Sequence, residues 1–161
     1  MKFYRLKDDY ITYLKGIDSN VEDNYGEKKA YIGIVLTIGL HNYFAPLSSH
    51  KPAHDRRKKN DTFFRVKDRT DETNKLAIIK LNNMVPALPT EIEEMIFSNE
   101  RPDYAQLLQK EYEYILSHQE QITKQAARLY ERVVKKKQSF FVDQCLDFAA
   151  LEQGYLNYNK S

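Results

Sequence analysis

Two short stretches of this chain carry side chains able to do acid–base or phosphate chemistry. In the first, Tyr25-Gly-Glu-Lys-Lys29-Ala-Tyr-Ile-Gly-Ile-Val35 places a phenol and an amine just before a β-branched, apolar run. In the second, Ala45-Pro-Leu-Ser48-Ser49-His50-Lys51 places two hydroxyls, an imidazole and an amine just after another. If the two runs are antiparallel neighbours joined by a hairpin, the start of one lies beside the end of the other. Lys29 then shares one rim of a sheet with Ser48 and Ser49. A lysine whose pKa is depressed by a nearby cation can act as a base. A second amine and hydroxyl donors can hold the oxygens of a phosphorane. RNA suits such a set because its own 2′-OH is the nucleophile, whereas DNA lacks that group. Each residue also has a plainer reading: Ser48-Ser49 as turn hydroxyls, Lys29 as a solvated strand end.

Other catalytic signatures are missing. There is no P-loop, no dinucleotide glycine pattern, no paired-cysteine zinc motif and no HExxH. His41, His50, His54 and His118 show no metal-ligand spacing, and no cluster of Asp or Glu stands where metal-dependent phosphoryl chemistry would want one. No metal or cofactor is expected. The net charge is only +2, but positions 50–69 hold eight Lys or Arg against three Asp, a local excess of +5. That asymmetry fits either a polyanion site or a solubilising loop.

The elements that must position these groups can be read from periodicity. Lys2 to Leu6 alternates like a strand. Asp8 or Asp9 can cap a short helix to about Lys15, with Ile11 and Leu14 facing inward. Ala30–Ile38 and Tyr43–Leu47 read as strands about a turn at Gly39, followed by a long basic loop over Ser48–Asn60. Thr62–Val66, Leu76–Leu81 and the proline-broken Met84–Leu88 suggest further strands. From Pro102 the spacing becomes helical, through Tyr104, Leu107, Leu108, Tyr112 and Ile115, then Ile122 to Val134, then Phe141 to Leu151. Lys135-Lys136-Lys137 reads as the basic end of a helix. Strands first and helices later predict an α+β fold, a twisted antiparallel sheet with helices added mainly in the C-terminal half. At 161 residues one domain, 1–161, is expected. No secretory signal or spanning run is visible and Cys145 has no partner, which points to a cytoplasmic protein with no membrane contact.

Several segments resemble the ToxN/AbiQ family, the protein toxins of type III toxin–antitoxin systems. They are Met1-Lys-Phe-Tyr4, Tyr10-Ile-Thr-Tyr-Leu-Lys15, Lys29-Ala-Tyr-Ile-Gly-Ile-Val-Leu36, Tyr43-Phe-Ala-Pro-Leu-Ser-Ser49 with Lys51, and Leu81-Asn-Asn-Met-Val-Pro86. The resemblance spans roughly the first 90 residues. It implies an endoribonuclease that needs no metal and leaves a 2′,3′-cyclic phosphate and a 5′-hydroxyl. It implies a core related to the Kid/MazF toxins. It also implies a repeated pseudoknot RNA antitoxin, cut from its precursor by the toxin and closing with it into a cyclic assembly, and a role in phage defence by abortive infection on cellular or phage RNA. By position, the family's active-site tyrosine falls on Tyr25, its lysines on Lys29 and Lys51, and its paired hydroxyls on Ser48 and Ser49. His50 departs from the pattern, standing where the family has proline, and His54 matches a family histidine near the groove. The expected roles are Lys29 as base or proton shuttle, Ser48 and Ser49 as phosphate ligands, Lys51 as charge stabiliser and Tyr25 as positioning or stacking group. RNA contacts are expected from Tyr10, His50, His54, Arg56, Arg57, Lys58, Lys59, Phe63 and Arg65. Two rival readings are a non-catalytic RNA-binding regulator that uses the same groove, and a helical adaptor whose basic loop only solubilises.

Overall fold

The computed structural model describes residues 1–158. Its centre is a seven-stranded antiparallel sheet: β1 (Lys2–Leu6), β2 (Tyr31–Ile38), β3 (His41–Ser49), β4 (Phe64–Asp68), β5 (Asp71–Ile79), β6 (Val85–Pro86) and β7 (Ile92–Glu94). The order is β4-β5-β3-β2-β1-β7, with β6 on β3. Helix α1 (Asp8–Ile17) follows β1, while α2 (Pro102–Ser117), α3 (Gln119–Tyr130), α4 (Ser139–Gln144) and α5 (Phe148–Gly154) follow the last strand. The α+β expectation and the C-terminal placement of the helices hold.

The central hairpin is built by sequence chemistry. Gly39 takes φ +57 at the turn, a conformation without penalty only for glycine, and leaves Leu40 94% exposed at the tip. Tyr31, Ile32, Val35, Leu36, Tyr43, Phe44 and Ala45 are all buried. Gly33 is glycine for a steric reason: a Cβ there would lie 2.1 Å from the Phe44 ring. Strand β3 pairs with β2 up to Pro46, opposite Tyr31, and then with β5 through Leu47, Ser48 and Ser49, opposite Ile79, Ile78 and Ala77. The site forms where β3 changes partner. The helices close the core around Ile115, Ile122, Ala126, Leu129, Phe148 and Leu151, all fully buried. The buried hydroxyl of Tyr43 donates to Glu152 Oε1 at 2.6 Å, and that of Tyr130 donates to the same oxygen at 2.8 Å.

Several element boundaries differ from the periodicity. Strand β5 starts five residues earlier than Leu76, because Asp71 to Lys75 is exposed and has no apolar pattern to reveal it. Strand β6 is only two residues long, ending at Pro86, which has no ladder donor. Strand β7, Ile-Glu-Glu, gave no signal. The expected last helix is two short ones broken at Cys145–Asp147. Neither Asp8 nor Asp9 is the N-cap of α1. Lys7 occupies that position without a side-chain cap, and the Asp8 backbone N–H donates to the Glu27 carboxylate at 3.1 Å. An anion at a helix N-terminus is favourable whichever part of the chain supplies it.

Candidate active site

The expected rim exists. Leu47 N–H donates to Ala30 O at 2.9 Å, which sets Lys29 beside Ser48. Lys29 Nζ donates to Ser48 Oγ at 3.1 Å and pairs with Glu22 at 3.1 Å. Glu22 also accepts from Lys80 Nζ at 2.6 Å and from Asn83 Nδ2 at 3.0 Å. Burial alone would raise the Glu22 pKa, but Lys80 and Lys29 outweigh it and hold the carboxyl below its ordinary value. Lys29 is therefore clamped between a hydroxyl and an ionised carboxylate. The side chains of Ser49 and Lys51, both exposed, make no hydrogen bond or ion pair to other described residues and are free to take a ligand.

Tyr25 reaches the site by a different device. Tyr25, Gly26 and Glu27 adopt φ of +49, +67 and +65 in succession. For the two non-glycine residues this costs on the order of 1 kcal/mol each. Fixed contacts to the start of α1 hold the turn: Asp8 Oδ1 accepts from Glu27 N at 3.0 Å and from Asn24 Nδ2 at 2.8 Å, and Asn24 Nδ2 also donates to Leu6 O at 2.7 Å. The result is a phenol 67% exposed on the wall of the cleft.

Lys29, Ser48, Ser49, Lys51 and Tyr25 all line one cleft of about 930 Å³. Sequence reading missed its other walls: Lys15, Glu22 and Lys80, and the α2 residues Tyr104, Leu107 and Glu111. Glu22 lies in a featureless polar loop and gave no signal. Glu111 did offer one, because it falls in the apolar stripe of α2, where a carboxyl is out of place. Among the described residues no group of three or more His, Cys, Asp or Glu is placed to hold a metal ion. Among the described residues no helix is long and apolar enough to cross a membrane.

The expected RNA contacts divide. Arg56, Arg57, Lys58 and Lys59 are exposed on a loop that contains a single 3-10 turn, Pro52–Arg56. His54 is buried beneath that loop, and its Nδ1 accepts the Lys51 N–H at 3.0 Å. Its pKa is lowered by burial and by Arg57 and His50. His50 Nε2 contacts Asp55 at 3.0 Å, and Asp55 pairs with Lys75 at 2.8 Å. Arg65 donates to His54 O and Arg57 O, so it shapes the loop and its guanidinium is already committed. Two expectations are corrected. Tyr10 is 0% exposed, its hydroxyl donating to Pro86 O at 2.7 Å, and it has no face for RNA. Phe63 is 3% exposed, covered by the Arg65 and Arg57 guanidinium groups at 4.9 and 5.8 Å from its ring, so it offers no stacking platform.

The fold is that of the endoribonuclease toxins of type III toxin–antitoxin systems. The solved structure of AbiQ, a lactococcal anti-phage endoribonuclease belonging to the type-III toxin–antitoxin system, superposes with a TM-score of 0.92 at 27% identity, covering 99% of this chain and 98% of that one. A structure described as showing that a processed non-coding RNA regulates a bacterial antiviral system superposes at 0.90 with 31% identity, over 99% and 100% of the two chains. The chain belongs to the family of toxin ToxN, type III toxin–antitoxin system, whose family model matches residues 2–156. Endoribonuclease ToxN of Pectobacterium atrosepticum is 31% identical over 99% of this chain and 95% of its own. Endoribonuclease AbiQ of Lactococcus lactis subsp. lactis is 28% identical over 99% and 90%.

Proposed function

We propose that the protein is a cytoplasmic endoribonuclease toxin that cleaves single-stranded RNA without a metal ion and is restrained by a structured RNA antitoxin. The observation that carries the reading is the clamp on Lys29: Nζ lies 3.1 Å from Ser48 Oγ and 3.1 Å from Glu22, beside the unpartnered Ser49 hydroxyl and Lys51 amine. In the reaction the RNA 2′-oxygen attacks the adjacent phosphorus as it loses its proton. The bond from phosphorus to the 5′-oxygen breaks, and that oxygen gains a proton. The products are a 2′,3′-cyclic phosphate and a 5′-hydroxyl. Lys29 shuttles the proton, its charge offset by Glu22. Ser48, Ser49 and Lys51 hold the phosphorane oxygens, and the exposed Tyr25 ring orients a neighbouring nucleotide. Acid–base help of this kind contributes ~10²–10⁴-fold, and fixed donors add more.

The relatives support the partner. One related structure is described as selective toxin inhibition by a non-coding RNA pseudoknot, and the AbiQ structure as anti-phage. For this chain the expected antitoxin is a pseudoknot repeat that the toxin cuts from a precursor, closing with it into a cyclic assembly that protects against phage by abortive infection. Cleavage of a single-stranded RNA in EDTA, with end-group analysis and the Lys29→Ala variant alongside, tests the reading. Cyclic phosphate ends that survive EDTA and vanish in the variant are expected. RNA binding without cleavage, or cleavage abolished by EDTA, overturns it.

A further inference from the structure

The cleft is larger than one scissile phosphate requires. At about 930 Å³ it lies at the upper end of the range for pockets that enclose whole small-molecule ligands, ~300–1,000 Å³. Its phosphate-facing side is the lysine and hydroxyl cluster. The opposite character appears on α2, where Tyr104, Leu107 and Glu111 stand at helical spacing on one face and line the same cleft. Leu108 and Ile115, fully buried, anchor the helix to the core beside them. Glu111 is 3% exposed and makes no hydrogen bond or ion pair to any described residue, although its side chain lines the cleft. Its carboxyl faces the cleft, where a ligand can supply the hydrogen-bond partner that no described side chain provides.

We propose that Tyr104, Leu107 and Glu111 form a nucleobase subsite, in which the ring and the leucine flank one base of the bound RNA and the Glu111 carboxyl hydrogen-bonds its edge. The inference rests on the endoribonuclease reading for the orientation of the RNA, and it adds the wall that reads sequence. Charge agrees with this placement. Lys15, Lys28, Lys29, Lys51 and Lys80 outnumber Glu22 and Asp23 in the cleft, which suits a phosphate backbone. A further permanent anion, on α2, would oppose that backbone. Burial pushes the Glu111 pKa up to about 8, so the group keeps its proton at neutral pH and presents one donor beside one acceptor. Tyr104 is close enough that Glu111 adds to the effect of burial in raising the phenol. A neutral carboxyl pairs with a base edge that offers a donor next to an acceptor. An ionised one can only accept, and so loses that match.

The test is a set of short single-stranded RNAs varied one nucleotide at a time around the cut, assayed with wild type, Glu111→Gln and Glu111→Leu, each checked for a cooperative melt. The readout is the ratio of kcat/KM between two bases at one position. In that ratio the shared contributions of Tyr104, Glu22, Lys15, Lys28, Lys29, Lys51 and Lys80 largely cancel. Glu111→Gln keeps a donor and an acceptor and should retain the wild-type preference. Glu111→Leu should lose it by about tenfold or more at one position. The wild-type preference should weaken as pH rises through about 8, and that of Glu111→Gln should not. Loss of all cleavage in Glu111→Gln would overturn the proposal by making Glu111 a proton donor in the chemistry. An unchanged preference in folded Glu111→Leu would overturn it by making Glu111 a packing residue, with the endoribonuclease reading intact. If wild type binds these RNAs with a base preference that Glu111→Leu loses, yet cuts none, the subsite stands and the endoribonuclease reading falls.

Discussion

Glu111→Gln should make the folded protein more stable at neutral pH. In the native state burial raises the Glu111 pKa to about 8, from an ordinary value of 4.5. A carboxyl raised in this way contributes fully below about pH 4.5. That contribution is lost as pH rises to about 8, because the unfolded chain releases a proton that the folded chain must keep. Each pKa unit corresponds to ~1.36 kcal/mol, so holding the proton at pH 7 costs up to about 3 kcal/mol. Glutamine has nearly the same shape and buries an equally unpartnered polar group, so the desolvation costs largely cancel and the titration is removed. The expected gain is ~1–3 kcal/mol at pH 7, shrinking toward zero near pH 4.5. Urea unfolding at pH 4.5, 7 and 8.5, followed by circular dichroism, measures it. Parallel stability curves for the two proteins, or no gain at pH 7, would refute the reasoning and with it the protonated state of Glu111.

Four further outcomes are expected. Ser49→Ala should abolish RNA cleavage without moving the melting temperature by more than ~1 °C, because the exposed hydroxyl has no protein partner; full activity in soluble variant protein would remove Ser49 from the site. Neutralising Arg56, Arg57, Lys58 and Lys59 should flatten the log–log salt dependence of RNA binding by ~0.7 per lost phosphate contact, up to about 3 in all, and an unchanged slope would make the loop a solubility feature. Gly33→Ala should destabilise by ~1–3 kcal/mol in urea, because its Cβ meets the Phe44 ring at 2.1 Å. His54 should titrate below 6.5 in an NMR pH series. Its contribution to stability is therefore present above about pH 6.5 and lost as pH falls through the lowered native value, when protonation of Nδ1 breaks the bond from Lys51 N–H.

The rim that joins Lys29 to Ser48 was legible because hairpin geometry is strict. Once Ala30–Ile38 and Tyr43–Leu47 are antiparallel neighbours, the residue before one must lie near the residue after the other. The charge run at Arg56 to Lys59 was legible for a similar reason, since four consecutive cations have nowhere to go but solvent. The partners that fix Lys29 were not legible. Glu22 comes from one irregular segment, Lys80 and Asn83 from another, brought together only by the tertiary fold, and no periodicity marks them. Tyr10 and Phe63 misled for the opposite reason. Aromatic rings suit both RNA and a hydrophobic core, and a residue beside charged neighbours gives no hint of which side it takes until the packing is known.

The change of partner along β3 has a mechanical consequence. Ser48 and Ser49 are held in register by β5, while Lys29 is held by the entry into β2. The backbone ladder of β3 passes from one half to the other at Pro46 and Leu47. A shift of the β4–β5 ribbon against the central hairpin would therefore draw the hydroxyls off the amine, and would strain the core that Val66, Ala77 and Ile79 share. Heat inactivation of the toxin should begin below the cooperative melt of its sheet. Hydrogen exchange at the amide of Leu47, which donates to Ala30 O across that seam, should report the same opening.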